Sequence, residues 1–68
     1  MKPTLEQQYA CFYIMQMLSN LFCSIEIFRY DEKRKRVYIL AMTAREEEIQ
    51  IEIYVTGRYD FIDDETRL

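Results

Sequence analysis

The sequence predicts an α+β fold in which one N-terminal helix packs on a four-stranded antiparallel β-meander. Three observations carry that expectation. An uninterrupted stretch from Leu5 to about Leu21 sets apolar side chains at helical spacing. Beyond Phe22 the apolar period shortens to alternation. The segments between the later apolar runs are too short for crossover connections, so neighbouring strands run antiparallel. All 68 residues read as a single domain, with the helix at about 4–22 and strands at about 25–30, 36–42, 48–56 and 58–62. At this size a lone core is marginal, and a partner or a second copy adds the burial it lacks.

The helix opens on Thr4-Leu5-Glu6-Gln7, a capping-box pattern with Pro3 before the cap and an acid in the first turn to complement the helix dipole. On a helical projection Ala10, Cys11, Ile14, Met15, Leu18, Leu21 and Phe22 fall on one broad face, the expected core stripe. The opposite face holds Tyr9, Phe12, Tyr13, Gln16, Ser19 and Asn20, where an ordinary surface helix carries Lys and Glu. Ser19-Asn20 suits a helix end.

Ile25 to Tyr30 reads as the first strand, and Asp31 to Lys35 as a solvated hairpin loop. Arg36 to Met42 is nearly all apolar, which suits a central strand. Thr43 to Glu47 turns the chain. Glu48 to Thr56 alternates, with Ile49, Ile51, Ile53 and Val55 inward. A tight turn at Thr56-Gly57 leads to a short last strand, Arg58 to Ile62, with Tyr59 and Phe61 on one side. Asp63 to Leu68 reads as a frayed tail. Alternation turns Phe28, Tyr30, Tyr38, Leu40 and Met42 away from Ile25, Ile27, Val37, Ile39 and Ala41. A second apolar sheet face, which one helix cannot cover, is therefore expected.

Composition narrows the chemistry. The chain holds no His, one Gly and two Cys. The usual neutral-pH base, the commonest metal ligand and phosphate-cradling glycine loops are all missing, and Ser19 and Ser24 have no neighbouring base. No catalysis, cofactor or metal is expected. Cys11 and Cys23 are twelve positions apart, about 18 Å of rise on one helix, too far for a disulfide. Reduced cysteines and a polar N-terminus without a signal segment suggest a cytoplasmic protein. The apolar run from Tyr9 to Phe22 is too short and too polar to span a membrane.

Two surfaces stand out as binding candidates. The first is a protein-binding surface drawn from Tyr9, Phe12, Tyr13, Gln16 and Asn20 on the helix and Phe28, Tyr30, Tyr38 and Leu40 on the sheet; aromatics interspersed with amides suit the centre of an interface. Its partner is another small protein or a second copy. The second is the basic loop Lys33, Arg34, Lys35 and Arg36, the alternative reading being a regulator that contacts DNA or RNA there. A net charge of −3 and the flanking acids weaken that alternative.

The order of short motifs also matters. KPTLEQ at 2–7, QMLSNLF at 16–22, IEIFRYD at 25–31, YILA at 38–41, IQIEIY at 49–54 and GRYDF at 57–61 together resemble a family of small cyanobacterial proteins of unassigned activity. The chain departs from that pattern where TAREEE replaces a shorter Gly-Glu turn and where Tyr59 stands at a position often held by Trp. The resemblance implies a two-component, toxin–antitoxin-like module in which this protein pairs with a second very small one.

Overall fold

The structure, a computed structural model, describes residues 3–62; the tail expected to fray, Asp63 to Leu68, lies outside the described residues. One helix, α1 (Leu5–Asn20), precedes four strands, β1 (Ser24–Asp31), β2 (Arg36–Met42), β3 (Glu48–Ile53) and β4 (Tyr59–Ile62). All neighbours are antiparallel and the order is β1-β2-β3-β4, a meander with β2 and β3 at its centre. The fold class is the one the sequence predicts.

The helix begins where the capping box places it. Thr4 Oγ1 accepts from the Gln7 backbone N–H at 3.0 Å, and Gln7 Oε1 accepts from the Thr4 N–H at 2.8 Å. Gln7 goes further than a cap. Its amide is fully buried, and Nε2 donates to the carbonyls of Lys35 at 2.9 Å and Ile53 at 3.1 Å. One side chain thus joins the start of α1 to the start of β2 and the end of β3. Thr4 Oγ1 donates to the Val55 carbonyl at 2.8 Å beside it.

The helix ends earlier than the sequence suggests. Phe22 lies in the left-handed region at φ 59°; its N–H donates to the Ser19 carbonyl, and the Cys23 N–H donates to the Leu18 carbonyl. That pair of bonds is a Schellman ending, which glycine ordinarily occupies because a Cβ is strained there. Leu21 and Phe22 therefore leave the core stripe, and Phe22 is 85% exposed. The core proper is Ile14 and Leu18 of α1 against Val37, Ile39, Ala41, Ile51 and Ile53, with Ala10, Cys11, Met15, Met17 and Cys23 packed around it.

Register explains why the core is narrow. Residues paired across antiparallel strands share a face. On the helix side, Phe28–Ile39–Ile51–Phe61 forms one row across all four strands and Tyr30–Val37–Ile53–Tyr59 the next. Each row has aliphatic residues in the middle and an aromatic at either end. The single helix sits on the aliphatic centre, over β2 and β3, and leaves the end rings half exposed: Phe28 at 51% and Phe61 at 56%.

Two expectations for the strands need correction. The register of β1 shifts between Ile25 and Ile27, a β-bulge with Glu26 as the extra residue. Phe28 and Tyr30 consequently share the helix face with Ile39 and Val37, while Ile27 joins Leu40 on the outer face. They do not lie with Tyr38, Leu40 and Met42 as plain alternation implies. The strand expected at 48–56 ends at Ile53, and residues 54–58 form a longer turn closed by Tyr54 N–H to the Arg58 carbonyl at 2.7 Å. Val55, expected inward, is exposed in that turn. Gly57, at φ 89°, packs its Cα so close to Glu6 that an added Cβ meets the Glu6 carbonyl oxygen at 3.1 Å.

Two substitutions test this account in urea unfolding at fixed protein concentration. Gln7→Ala strands the buried Ile53 carbonyl, the partly buried Lys35 carbonyl and the Thr4 N–H, and should destabilise by about 2–3 kcal/mol with an unchanged m-value. Phe22→Gly relieves the left-handed strain and should raise the unfolding midpoint, by about 1 kcal/mol in stability.

Candidate functional site

The helix has one ionisable carboxylate, Glu6, and no basic residue. Its outward side therefore lacks the Lys–Glu surface typical of a solvated helix. Gln7, Ile14 and Leu18 point at the sheet, so the opposite ridge is made of Leu5, Tyr9, Phe12, Tyr13, Gln16 and Asn20. Phe12 is 71% exposed, and Tyr9, Tyr13 and Leu5 are each more than half exposed. The five helix residues expected from sequence to form a binding face stand together on this ridge.

The ridge is flanked by grooves. One runs between α1 and the turn leading into β4, lined by Tyr9, Ala10, Tyr13, Gly57, Arg58 and Tyr59. A second lies under the C-terminal half of the helix, lined by Tyr13, Gln16, Met17, Asn20 and Leu21. Tyr59 and Phe61 meet edge-to-face, with ring centroids 6.2 Å apart, and form the β4 wall. On the other side Ile25 and Phe28 form the β1 wall, while Tyr30 packs against the core. Aromatic exposure is thus concentrated on the helix side of the molecule. Sequence reasoning missed Tyr59 and Phe61 as part of this surface. Their alternation on the last strand was visible, but the width of the helix above them was not.

Tyr38 and Leu40, also expected in the binding set, lie on the opposite face of the sheet. Both are half-buried. Cross-strand bonds tie the polar side chains of that face together: the Tyr38 hydroxyl donates to Gln50 Oε1 at 3.0 Å, and Arg36 Nη1 meets Glu52 Oε1 at 3.1 Å. The Arg36 guanidinium also lies 4.9 Å from the centroid of the Tyr54 ring. The Tyr54 hydroxyl donates to Asp60 Oδ2 at 3.0 Å; that bond, with burial and the charges of Asp60 and Glu52, raises the phenol above its ordinary pKa against the opposing pull of Arg36.

The basic loop is less concentrated than its sequence. Arg36 is turned onto Glu52 and Tyr54. Asp31 Oδ1 accepts from the Lys33 and Arg34 N–H groups, and Asp31 Oδ2 stands 3.9 Å from Arg34 Nε. Lys33 and Lys35 are exposed, but Lys35, at φ 57°, owes its position to the turn and gives its carbonyl to Gln7. The four cations therefore point to different tasks.

Cys11 and Cys23 are free thiols, both half-buried against the core. Burial pushes the Cys11 thiol up, so it stays protonated and a poor nucleophile. Among the described residues, no group of three or more His, Cys, Asp or Glu comes together to hold a metal ion, and no helix is long and apolar enough to cross a membrane.

No curated protein and no solved structure matches the chain. The family model described as Domain of unknown function (DUF6888) matches residues 2–60, nearly the whole chain, and the protein belongs to that family.

Proposed function

We propose that the protein is a small, non-catalytic interaction module that acts in the cytoplasm and binds a protein partner through the helix side of the molecule. The observation that carries this reading is the outward ridge of α1, which is aromatic, amide-bearing and almost free of charge. Aromatic anchors with neutral hydrogen-bonding neighbours are what the centre of a protein interface uses, because rings supply area at low entropic cost. The half-exposed walls at Phe28 and at Tyr59 and Phe61 extend the apolar surface on either side. A second small protein of a two-component pair fits this face as well as a second copy does. The outer sheet face is a weaker candidate, since Arg36, Glu52, Tyr38 and Gln50 already satisfy one another there.

Site-specific photocrosslinking in the cells that make the protein tests this reading. A benzophenone side chain at Tyr13 should form a covalent adduct with another polypeptide, and the same group at Arg29, across the sheet from the helix, should not. Absence of any adduct at Tyr13, or adducts at Arg29 instead, would overturn the assignment.

A further inference from the structure

We infer that the occupant of the helix face is a second copy of this chain, docked helix side to helix side about a two-fold axis near Phe12 and Tyr13, with the two α1 helices antiparallel. The inference rests on the interaction reading above and adds the partner's identity and geometry.

Area is the first support. Tyr9, Phe12 and Tyr13, at their observed exposures, carry about 400 Å² of accessible aromatic surface, taking ~150–250 Å² for each whole ring side chain. The molecule is a slab of 34 × 31 × 17 Å, so its broad helix side has room for the roughly 800 Å² per partner of a stable interface. The half-exposed Tyr59 and Phe61 supply further apolar surface beside the ridge.

Charge is the second. A chain with net charge −3 repels its own copy wherever its acids meet. On α1 only Glu6 carries charge, so two helix faces can meet without a like-charge cost at their centre. The same residue selects the direction. Parallel helices set Glu6 near Glu6 and align their dipoles; antiparallel helices send the two carboxylates to opposite ends.

The order of residues along the ridge is the third. Reversed on itself about its midpoint, the ridge sets Leu5 opposite Asn20, Tyr9 opposite Gln16 and Phe12 opposite Tyr13. Rings meet at the centre, and the Tyr9 phenol meets the Gln16 amide, a donor–acceptor pair. A surface that complements its own reversed copy is what an isologous two-fold contact requires.

The test combines mass and crosslinking on the purified full-length chain. Light scattering at micromolar concentration should give twice the chain mass, and Phe12→Glu should return it to the monomer with unchanged far-UV circular dichroism. In a Cys11→Ala, Cys23→Ala background, Leu5→Cys mixed with Asn20→Cys should form a disulfide-linked heterodimer on oxidation, whereas Leu5→Cys alone and Leu40→Cys alone should not. A folded monomer at every concentration, a dimer insensitive to Phe12→Glu, or self-linking of Leu5→Cys would each overturn the inference. If the purified protein is monomeric while Tyr13 still forms an adduct of another mass in cells, only the second-copy inference fails. Loss of that adduct fails both.

Discussion

The structure depends on one buried amide. Gln7 uses its oxygen to close the helix cap and its nitrogen to hold the carbonyls of Lys35 and Ile53. Those carbonyls stand at the start of β2 and the end of β3, the two central strands. A hydrophobic contact fixes a helix only loosely about its axis, whereas the two directed bonds from Gln7 Nε2 to the sheet tie its N-terminal end to a defined rotation and height. Once Gln7 is seated, Ile14 and Leu18 fall over Ile39 and Ile51, and the ridge one half-turn away has no choice but to face outward. Close packing of Gly57 against Glu6 supports the same end of the helix from the third turn. The position of the candidate binding surface is thus a consequence of a polar constraint in the core.

A second consequence follows from width. A helix is about 10 Å across and strands are spaced by about 4.8 Å, so one helix covers two strands of a four-stranded sheet. The aliphatic pairs of the central strands lie under it, and the edge-strand aromatics Phe28, Tyr59 and Phe61 stay partly exposed while Tyr30 packs against the core. Only seven hydrophobic residues are fully buried among those described, which makes association an effective way to remove further apolar surface from water. The uncharged ridge and the aromatic walls are two parts of one uncovered layer.

Much of this was legible in the residues. Thr4 and Gln7 announced the cap, alternation announced the strands, and the apolar run 36–42 announced a central one. Gln7 itself stands seven positions before Ile14 and eleven before Leu18, a spacing that extends the buried stripe, although the stripe read from the residues begins only at Ala10 and Gln7 reads there as a cap alone. Capping accounts for half of its bonds, so its tie to the sheet had no separate signal. The bulge at Glu26 left a trace that plain alternation conceals: apolar residues at 25 and 27 are out of phase with those at 28 and 30, and an inserted residue is what lets Ile25, Phe28 and Tyr30 share a face. The ending at Phe22 could not be read, because nothing in local propensity selects a bulky ring for a left-handed position. The early end of β3 was hidden for a related reason: Tyr54, Val55 and Thr56 continue the alternation although the chain has already entered the turn. Among the candidate site residues, the helix set was recoverable because its periodicity is intact. The sheet set was divided between two faces because one extra residue inverted half of β1.

In the proposed dimer the aromatic ridge of α1 is completed by the same ridge of a second copy. Isotope-filtered nuclear Overhauser spectroscopy on an equal mixture of carbon-13-labelled and unlabelled protein addresses it most directly. A ridge-to-ridge dimer gives intermolecular cross-peaks between the Phe12 and Tyr13 rings and between the Tyr9 ring and the Gln16 side chain. Intermolecular cross-peaks confined to Tyr38 and Leu40, or none at all at concentrations where the chain is folded, would contradict it.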